Sequence, residues 1–503
     1  MSDRPTATPR ASLHEEPFPE LFGLATEAVL SDDGRWIAVG SVLSQLSRVA
    51  VYRTADLSCA HVLTVAMETE TMAFHPTLPL LAVGFDNGDA YMREGRLVLL
   101  DPESGHRVDF ADPHWGVELV RWTDASTLEL TFCAMHDGVE FERSGAVVAR
   151  EEWRGLAPDA LDLSALPKQP LDPDAPLPYP DRGPAPQVLR ALAERAGLSY
   201  DGRGGVRAVA GLSDGRVLAT RKHTALECWA PDGTPLWSVP APSAGGGTRI
   251  EVSADERTAR VTVPGPDGRT RTDFPLVDTA DGTVLDNPSV PFSAALSART
   301  DGVWAIRDTY DRSSEKEGPD PNTRVFAADG TPLVTVHEPD RYDLVPVDAR
   351  RCPELLFGRR RRDVIALDPR SGAETTLFPL EPFRVDRPLG RAVYVSDAGG
   401  PALLHGRTEL VRRTFPAGDV VWTLPLCSEA EGSEHRSLTV VDLDAHAGVL
   451  HALCTDGTLL SVDAADGTVL DRRLLPPYGP LSVHAAPDGT VLVGTAAGRI
   501  LRY

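Results

Sequence analysis

Short hydrophobic runs alternate with polar turns along almost the whole chain, and one type of turn recurs. In its plainest copies an apolar run ends in Asp, and Gly follows four residues after that Asp. An Asp side chain accepts hydrogen bonds from amides two residues on, and Gly adopts the positive φ that a tight reversal requires. Each copy therefore predicts a strand–turn–strand unit. The four Asp and Gly pairs are Asp101 and Gly105, Asp278 and Gly282, Asp368 and Gly372, and Asp463 and Gly467.

A second hairpin pattern accompanies the first one in each repeat. It consists of a strand, a polar turn and another strand, and it is clearest at residues 28–40, 71–84, 209–219 and 483–494. The two patterns together return at intervals of about 38 to 57 residues, apart from one double interval between residues 128 and 217, and this spacing suits a propeller blade of four strands. The chain is therefore predicted to be an all-β propeller of about 7–10 four-stranded blades.

These repeats resemble those of the WD40-like and quinoprotein-like (PQQ-type) β-propellers of bacteria over most of residues 24–503. The Asp-to-Gly turn followed by an apolar strand is the quinoprotein-like feature, whereas the Trp-Asp dipeptide of WD40 blades does not occur. The resemblance implies a propeller fold but no single activity, because propellers serve as enzymes, binding proteins and scaffolds.

The two chain ends are predicted to meet in one blade. The last repeat, residues 482–503, stops after its third strand. Residues 18–24 are the predicted donor of the fourth strand, since pairing the two ends would remove open sheet edges. Residues 1–19 are polar and contain proline, and they are predicted to form a disordered tail.

Residues 156–200 are predicted to be an insertion between blades at residues 20–155 and blades at residues 201–503. Prolines recur through residues 158–186, so no strand ladder is expected in that stretch. Residues 187–196 predict a short amphipathic helix with Val188, Leu189 and Leu192 on one face, ended by Gly197. A hinge between two lobes is the alternative interpretation of this segment.

The formal net charge of −23 at pH 7 argues against binding to nucleic acid or to anionic membranes. The first residues lack the basic start and apolar core of a signal peptide, and no apolar stretch approaches the length of a membrane span. We therefore expect a cytoplasmic protein that binds neither nucleic acid nor membrane.

The sequence offers little catalytic chemistry. It contains no H-E-x-x-H motif, no Walker A loop and no EF-hand loop, each of which would place a metal or a phosphate. Asp442, Asp444 and His446 could in principle bind a metal, but their alternation is also typical of a strand that leads into a turn, which is the preferred interpretation. We therefore predict no catalytic, cofactor-binding or metal-binding residue and no cofactor, and expect a protein that is not an enzyme.

One basic cluster stands out on this acidic chain. Arg359, Arg360, Arg361 and Arg362, which we call the arginine run, follow an apolar stretch, and Arg350 and Arg351 lie nearby. The run could be a solvated hairpin tip. It could instead dock an acidic protein partner or a phosphate, because guanidinium groups form paired contacts with such groups. The four residues of the run are the candidate protein-binding residues.

The predicted function is a non-enzymatic scaffold that holds a protein partner of unknown identity. The long charged segments at residues 308–324 and 428–436 support this prediction, since long loops are often functional. The alternative is an enzyme or sensor that binds a small molecule or metal in its central channel. The channel lining separates the two: clustered His, Asp and Arg favour the alternative, whereas small or apolar residues favour the scaffold.

Overall fold

The computed structural model is built almost entirely of β-strands, which confirms the all-β propeller predicted from the sequence. Its described strands form ten sheets, nine of them four-stranded, and its described residues contain one helix. The structure describes residues 7–21, 25–43, 46–89, 93–136, 140–179, 182–200, 202, 204–242, 245–266, 271–291, 293–308, 322–337, 342–344, 347, 350–359, 363–379, 391–397, 399–426 and 438–503.

The chain divides into two compact units. One comprises Met1–His14 and Gly205–Tyr503 and is called the ring below; the other comprises Glu15–Gly204 and is called the stack. The chain therefore begins in the ring with strand β1 (Ala11–Leu13), forms the whole stack, and then returns to the ring.

The stack contains three blades of four antiparallel strands. Stack blade 1 has β2 (Ala25–Leu30), β3 (Trp36–Leu43), β4 (Leu46–Arg53) and β5 (Cys59–Val65). Stack blade 2 has β6 (Glu68–Phe74), β7 (Leu81–Asp86), β8 (Gly95–Leu100) and β9 (Arg107–Asp112). Stack blade 3 has β10 (Gly116–Asp124), β11 (Thr127–His136), β12 (Glu140–Ala149) and β13 (Gln169–Leu171).

A helix covers the outer face of stack blade 1. Because side chains alternate along β3, Ala38 faces blade 2 while Ile37 and Val39 face the other way. Helix α1 (Ala185–Arg195) packs Leu189 and Leu192 against that second face. The predicted helix is thus confirmed, although it begins two residues earlier than expected, since proline is tolerated in the first helical turn.

The proline-rich segment completes stack blade 3. Trp153, Leu156 and Leu163 are buried in the core between blades 2 and 3. The expectation that no ladder runs through this segment is wrong at one place, because β13 pairs with residues 143–145 of β12. Pro170 lies in β13, which is an edge strand, and proline is compatible with an edge because that side needs no amide donor.

The ring contains seven blades. Blade 1 has β14 (Ala208–Gly211), β15 (Val217–Arg221), β16 (Thr224–Trp229) and β17 (Pro235–Pro240). Blade 2 has β18 (Arg249–Val252), β19 (Thr258–Pro264), β20 (Thr272–Asp273), β21 (Leu276–Asp278), β22 (Val284–Asp286) and β23 (Ser289–Val290). Blade 3 has β24 (Ala294–Ala298), β25 (Trp304–Asp308), β26 (Asn322–Phe326) and β27 (Pro332–His337).

The remaining blades follow in chain order. Blade 4 has β28 (Tyr342–Leu344), β29 (Leu355–Arg359), β30 (Asp363–Leu367) and β31 (Glu374–Pro379). Blade 5 has β32 (Arg391–Asp397), β33 (Gly400–Gly406), β34 (Glu409–Thr414) and β35 (Val420–Pro425). Blade 6 has β36 (Val440–His446), β37 (Val449–Cys454), β38 (Thr458–Asp463) and β39 (Val469–Leu474). Blade 7 has β40 (Pro480–Ala485), β41 (Val491–Thr495) and β42 (Ile500–Arg502), completed by β1.

The ring closes on itself. A hydrophobic cluster lies between every pair of neighbouring blades. The closing pair has one too, since Leu492 and Ile500 of blade 7 pack with Val209 and Trp229 of blade 1. In the described part of the ring, both faces of each blade are therefore packed against the neighbouring blades.

The N-terminal strand that completes blade 7 is β1, which pairs with β42 so that Ala11 lies opposite Arg502 and Leu13 opposite Ile500. The prediction that residues 18–24 supply this strand is wrong: Phe18 and Leu21 are instead buried in the stack. Residues 11–13 therefore form a strand inside the segment expected to be a disordered tail. Leu13 explains the difference, because it fills the core between blades 7 and 1.

The recurring Asp-to-Gly turns have the geometry predicted for them. In the last copy, the amide of Gly467 donates to the Asp463 carbonyl at 2.9 Å, and the Asp463 carboxylate accepts the Ala465 amide at 2.8 Å. Gly467 has a φ of 81°. A Cβ there would also lie 2.9 Å from the Trp422 ring of the preceding blade. Glycine is therefore required both by the turn and by the packing between blades.

Candidate ligand site in the channel of the ring

The first strands of the ring blades line a central cavity of about 110 Å³. Their alternation sends every second side chain toward the cavity and the others into the cores between blades. Four arginines and three carboxylates lie on the cavity wall, together with one histidine: Arg207, Arg249, Arg350, Arg391, Glu251, Asp442, Asp444 and His484.

Two aspartates of β36 tie blade 6 to blade 7. The Asp442 carboxylate accepts the Val483 amide at 3.0 Å, and the Asp444 carboxylate accepts the Ala485 amide at 2.9 Å. The interpretation of this stretch as a strand leading into a turn is confirmed, since β36 ends at His446 and the turn follows. Among the described residues, no group of His, Cys, Asp and Glu is arranged to hold a metal ion.

The two aspartates differ in their electrostatic surroundings. Burial raises the pKa of Asp442, and the nearby Arg391 guanidinium opposes that rise. Burial would also raise the pKa of Asp444, but the His484 imidazole 2.6 Å away and the Arg351 guanidinium hold it below its usual value. Asp444 therefore ionises more readily than Asp442, and the Arg391 guanidinium favours the charged form of Asp442.

Arg350 reaches across the channel from blade 4. It lies in the connection between β28 and β29 and donates to the Gly211 carbonyl of blade 1 and to His484 of blade 7, both at 3.0 Å. It also lies 3.5 Å from the Glu256 carboxylate of blade 2. One guanidinium group thus connects blade 4 to three other blades.

Arg351 extends the same connection to blade 6. Its guanidinium donates to the Ala445 carbonyl and lies 3.4 Å from the Asp444 carboxylate. Arg350 lines the central cavity, whereas Arg351 lines a second cavity of about 600 Å³ beside the turn after β36. The two adjacent arginines therefore line different cavities.

Three further arginines lie at the start of the first strand of their blades. Arg207 precedes β14 and is exposed, while Arg249 and Arg391 are the first residues of β18 and β32. Because the first strands of all blades run the same way along a propeller channel, their first residues gather at one mouth. All three side chains line the cavity. We call them the mouth arginines.

A short sequence motif near the channel has no catalytic geometry. Residues 211–215 match G-x-S-x-G, but they connect two strands rather than a strand and a helix, as the nucleophile motif requires. The Ser213 hydroxyl donates to the Glu256 carboxylate at 2.6 Å, and no histidine is described among its partners. Ser213 therefore helps to position Glu256 beside Arg350.

The arginine run lies almost entirely outside the described residues. Arg359 is the last residue of β29, where its backbone pairs with that of Tyr342, and the three arginines after it are outside the described residues. Most of the two long charged segments, at residues 308–324 and 428–436, lies outside them as well. The structure therefore leaves the arginine run as a prediction.

The sequence does not predict the residues that line the channel. In the sequence, Arg350 and Arg351 are neighbours of the arginine run, and Asp442 and Asp444 belong to a possible metal motif. The mouth arginines are single residues in strand starts that are far apart in the sequence. The one usable signal was the alternating Asp442-Leu443-Asp444, in which Leu443 enters the core and both aspartates face the cavity.

The solved structures similar to this chain include two WD40 propellers. One is described as the WD40 beta propeller domain of Doa1, with a TM-score of 0.41, 14% identity and coverage of 59% of this chain and 92% of that chain. The other is described as the RRP9 WD40 repeats, with a TM-score of 0.43, 10% identity and coverage of 58% and 88%. No protein-family model matches the sequence, and no curated protein matches it.

In the part of the chain that the structure describes, no helix has both the length and the apolar character needed to cross a membrane.

Proposed function

We propose that this protein is a scaffold and that the outer strands of its ring hold a protein partner. The supporting observation is a set of exposed aliphatic side chains on the outermost strands of five ring blades. This is the fourth strand in blades 1, 3, 5 and 6 and β22 in blade 2, and we call the set the apolar rim. Its members are Leu236, Val284, Leu285, Leu333, Val420, Val421, Val469 and Leu470, each between 37% and 54% exposed.

The apolar rim recurs because the blades repeat. Val284 and Leu285 of β22 occupy the same place after the Asp-to-Gly turn as Val469 and Leu470 of β39. A single exposed aliphatic residue on a soluble protein needs no explanation, but a repeated set on one kind of strand indicates an interaction surface.

These strands are also the free edges of their sheets. Within the described residues, each of these strands is paired on one side only, so its other side presents amides and carbonyls to any extended segment that approaches. An exposed edge that also carries aliphatic side chains suits a partner that adds a strand to the blade.

The proposal is tested by capture from the native cell with a rim variant. Val420→Lys combined with Val469→Lys places charges on two edges without touching a core residue. The control, Thr375→Lys combined with Thr376→Lys, places the same charges on exposed positions of β31, whose edge is polar. A partner retained by the wild type and the control but lost by the rim variant supports the proposal. Equal retention by all three proteins contradicts it.

A second candidate function is ligand binding in the channel. The residues that line the channel favour this function. His, Asp, Glu and Arg side chains cluster in the channel, as expected of a channel that binds a ligand. The ring could carry both functions, since the apolar rim and the channel are at opposite edges of the blades.

A further inference from the structure

We propose that the mouth arginines bind a small oxyanion, such as the phosphoryl or carboxylate group of a small molecule. This inference deepens the second candidate function by naming its ligand class, and it does not depend on the apolar rim. The observation that motivates it is a cavity in which arginines outnumber carboxylates by four to three, inside a chain whose net charge is −23.

The contacts of the mouth arginines leave donors available. Arg249 uses its Nε to reach Glu251 at 2.5 Å, and Arg391 uses its Nε to reach the Val441 carbonyl at 3.0 Å. Within the described residues, the terminal Nη groups of these two side chains make no hydrogen bond. A guanidinium group presents its donors in a fork that matches two oxygens of a carboxylate or phosphate.

The nearby carboxylates do not prevent the mouth arginines from binding an anion. Glu251 is buried, with 3% of its side chain exposed, and is paired with Arg249. Asp442 accepts a backbone amide of blade 7 and lies 3.7 Å from Arg391. Glu251 thus pairs with Arg249, and Asp442 is held by the Val483 amide beside Arg391. Each carboxylate therefore helps to hold the neighbouring arginine side chain in place. Arg207 is exposed and adds a positive charge at the entrance.

The size of the cavity limits what can bind. A volume of about 110 Å³ is well below the ~300–1,000 Å³ typical of pockets for drug-sized ligands. It suits one oxyanion group with a few waters. Arg350 contacts Gly211, the last residue of β14, whereas the mouth arginines lie at the start of the first strands. A larger ligand would therefore have its anionic group at the mouth arginines and the rest of the molecule outside the mouth.

A concave charged site is also effective at a distance. Cavity walls of low polarity focus the field of a few charges, so a small positive mouth attracts anions even when the whole protein is acidic. The acidic residues elsewhere on the surface oppose anion binding only weakly, because screening removes most of their contribution beyond ~8–10 Å at ordinary ionic strength.

The test is calorimetric titration of the full chain with inorganic phosphate and, separately, with malonate, at ionic strength held constant with sodium chloride. The variant combines Arg207→Gln, Arg249→Gln and Arg391→Gln. The matched control combines Arg257→Gln, Arg370→Gln and Arg473→Gln, which removes the same charge from exposed positions of the ring. Comparison of the two anions shows whether phosphoryl or carboxylate chemistry is preferred.

We expect at least one of the two anions to bind the wild type saturably with one-to-one stoichiometry. The triple variant should bind that anion about tenfold or more weakly, because charge-assisted hydrogen bonds are the strong ones. The control should bind it with the affinity of the wild type. Absence of saturable binding to the wild type in the millimolar range overturns the proposal, and so does equal weakening in the control. If the triple variant does not fold, Arg207→Gln alone decides: this side chain is exposed, and unchanged affinity in that variant contradicts the site. Capture of a protein partner by the apolar rim is unaffected in every case.

Discussion

Arg350 and His484 face each other at 3.0 Å between the guanidinium Nη2 and the imidazole Nε2. A guanidinium group can only donate, so Nε2 must accept. The proton of the neutral imidazole is then on Nδ1, which lies 2.6 Å from the Asp444 carboxylate. A chain of hydrogen bonds thus runs from blade 4 through blade 7 to blade 6, and it makes Asp444 a structural residue of the ring.

Asp444→Asn is therefore expected to destabilise the ring. The change removes the charge that holds Arg351 and weakens the acceptor of the His484 hydrogen bond, at a cost of about 2–4 kcal/mol in the free energy of unfolding. Urea unfolding followed by circular dichroism measures this cost. The control Asp466→Asn changes an exposed turn residue that accepts the Thr468 amide and should stay within about 0.5 kcal/mol of the wild type. If Asp444→Asn and Asp466→Asn lowered the free energy of unfolding equally, Asp444 would have no special structural role in the ring.

Closure of the ring by β1 makes Leu13 a second sensitive position. Leu13 is 3% exposed and packs with Ile500 and Trp229. Leu13→Ala should lower the free energy of unfolding by about 2–4 kcal/mol, because the cavity it leaves cannot be filled by neighbouring strands. Leu198→Ala, at a position 49% exposed, is the control. A Leu13→Ala protein as stable as this control would show that β1 does not seal blade 7.

The hairpins could be predicted from sequence because their signals are local. An apolar run, an Asp and a Gly at fixed spacing specify each turn by themselves, and the positive φ of Gly282, 80°, is what that spacing requires. The strand β1 could not be predicted in this way. Ala11-Ser12-Leu13 has no periodic signal, and only the three-dimensional position of Leu13 against Ile500 reveals its role.

The channel site was beyond sequence reasoning for a related reason. Arg207, Arg249 and Arg391 each begin a strand, and their meeting depends on how many blades close the ring. Arg350 contacts Gly211 and His484, which are remote from it in the sequence. No spacing rule connects such residues, so a single sequence shows them only as scattered charges.

Glu70 should make the stack sensitive to pH. Burial, together with the charges of Asp86 and Glu68, raises the pKa of Glu70 to about 7. A carboxyl group with a raised pKa binds more protons in the folded state, so its contribution to stability is present below about pH 4.5 and is lost as the pH rises through 7. The stack should therefore melt at a lower temperature at pH 8 than at pH 5.

Glu70→Gln should remove this part of the pH dependence and raise the melting temperature at pH 8. Glu151→Gln, at an exposed position of the same unit, is the control and should keep the slope of the wild type. Melting curves of the full chain at pH 5, 6, 7 and 8 measure both. A Glu70→Gln protein with the slope of the wild type would exclude Glu70 as the titrating group.

The arginine run carries a further prediction about partner binding. Replacing Arg359, Arg360, Arg361 and Arg362 by Ser should leave the fold intact, weaken capture of a native partner and flatten its salt dependence, since exposed charge pairs contribute about 0.2–1 kcal/mol each and act mainly on association. Replacing the same four by Lys keeps the charge and is the control. Identical salt dependence in the wild type and the Ser variant would leave the run as a solvated turn.

Hydrogen–deuterium exchange of the purified complex tests the central claim most directly. If the apolar rim holds the partner by adding a strand, the amides of the fourth strands, above all β35 and β39, should exchange more slowly in the complex than in the free protein. The first strands around the channel should exchange at the same rate in both. Protection confined to the channel mouth or to residues 359–362, with the fourth strands unchanged, would contradict the account.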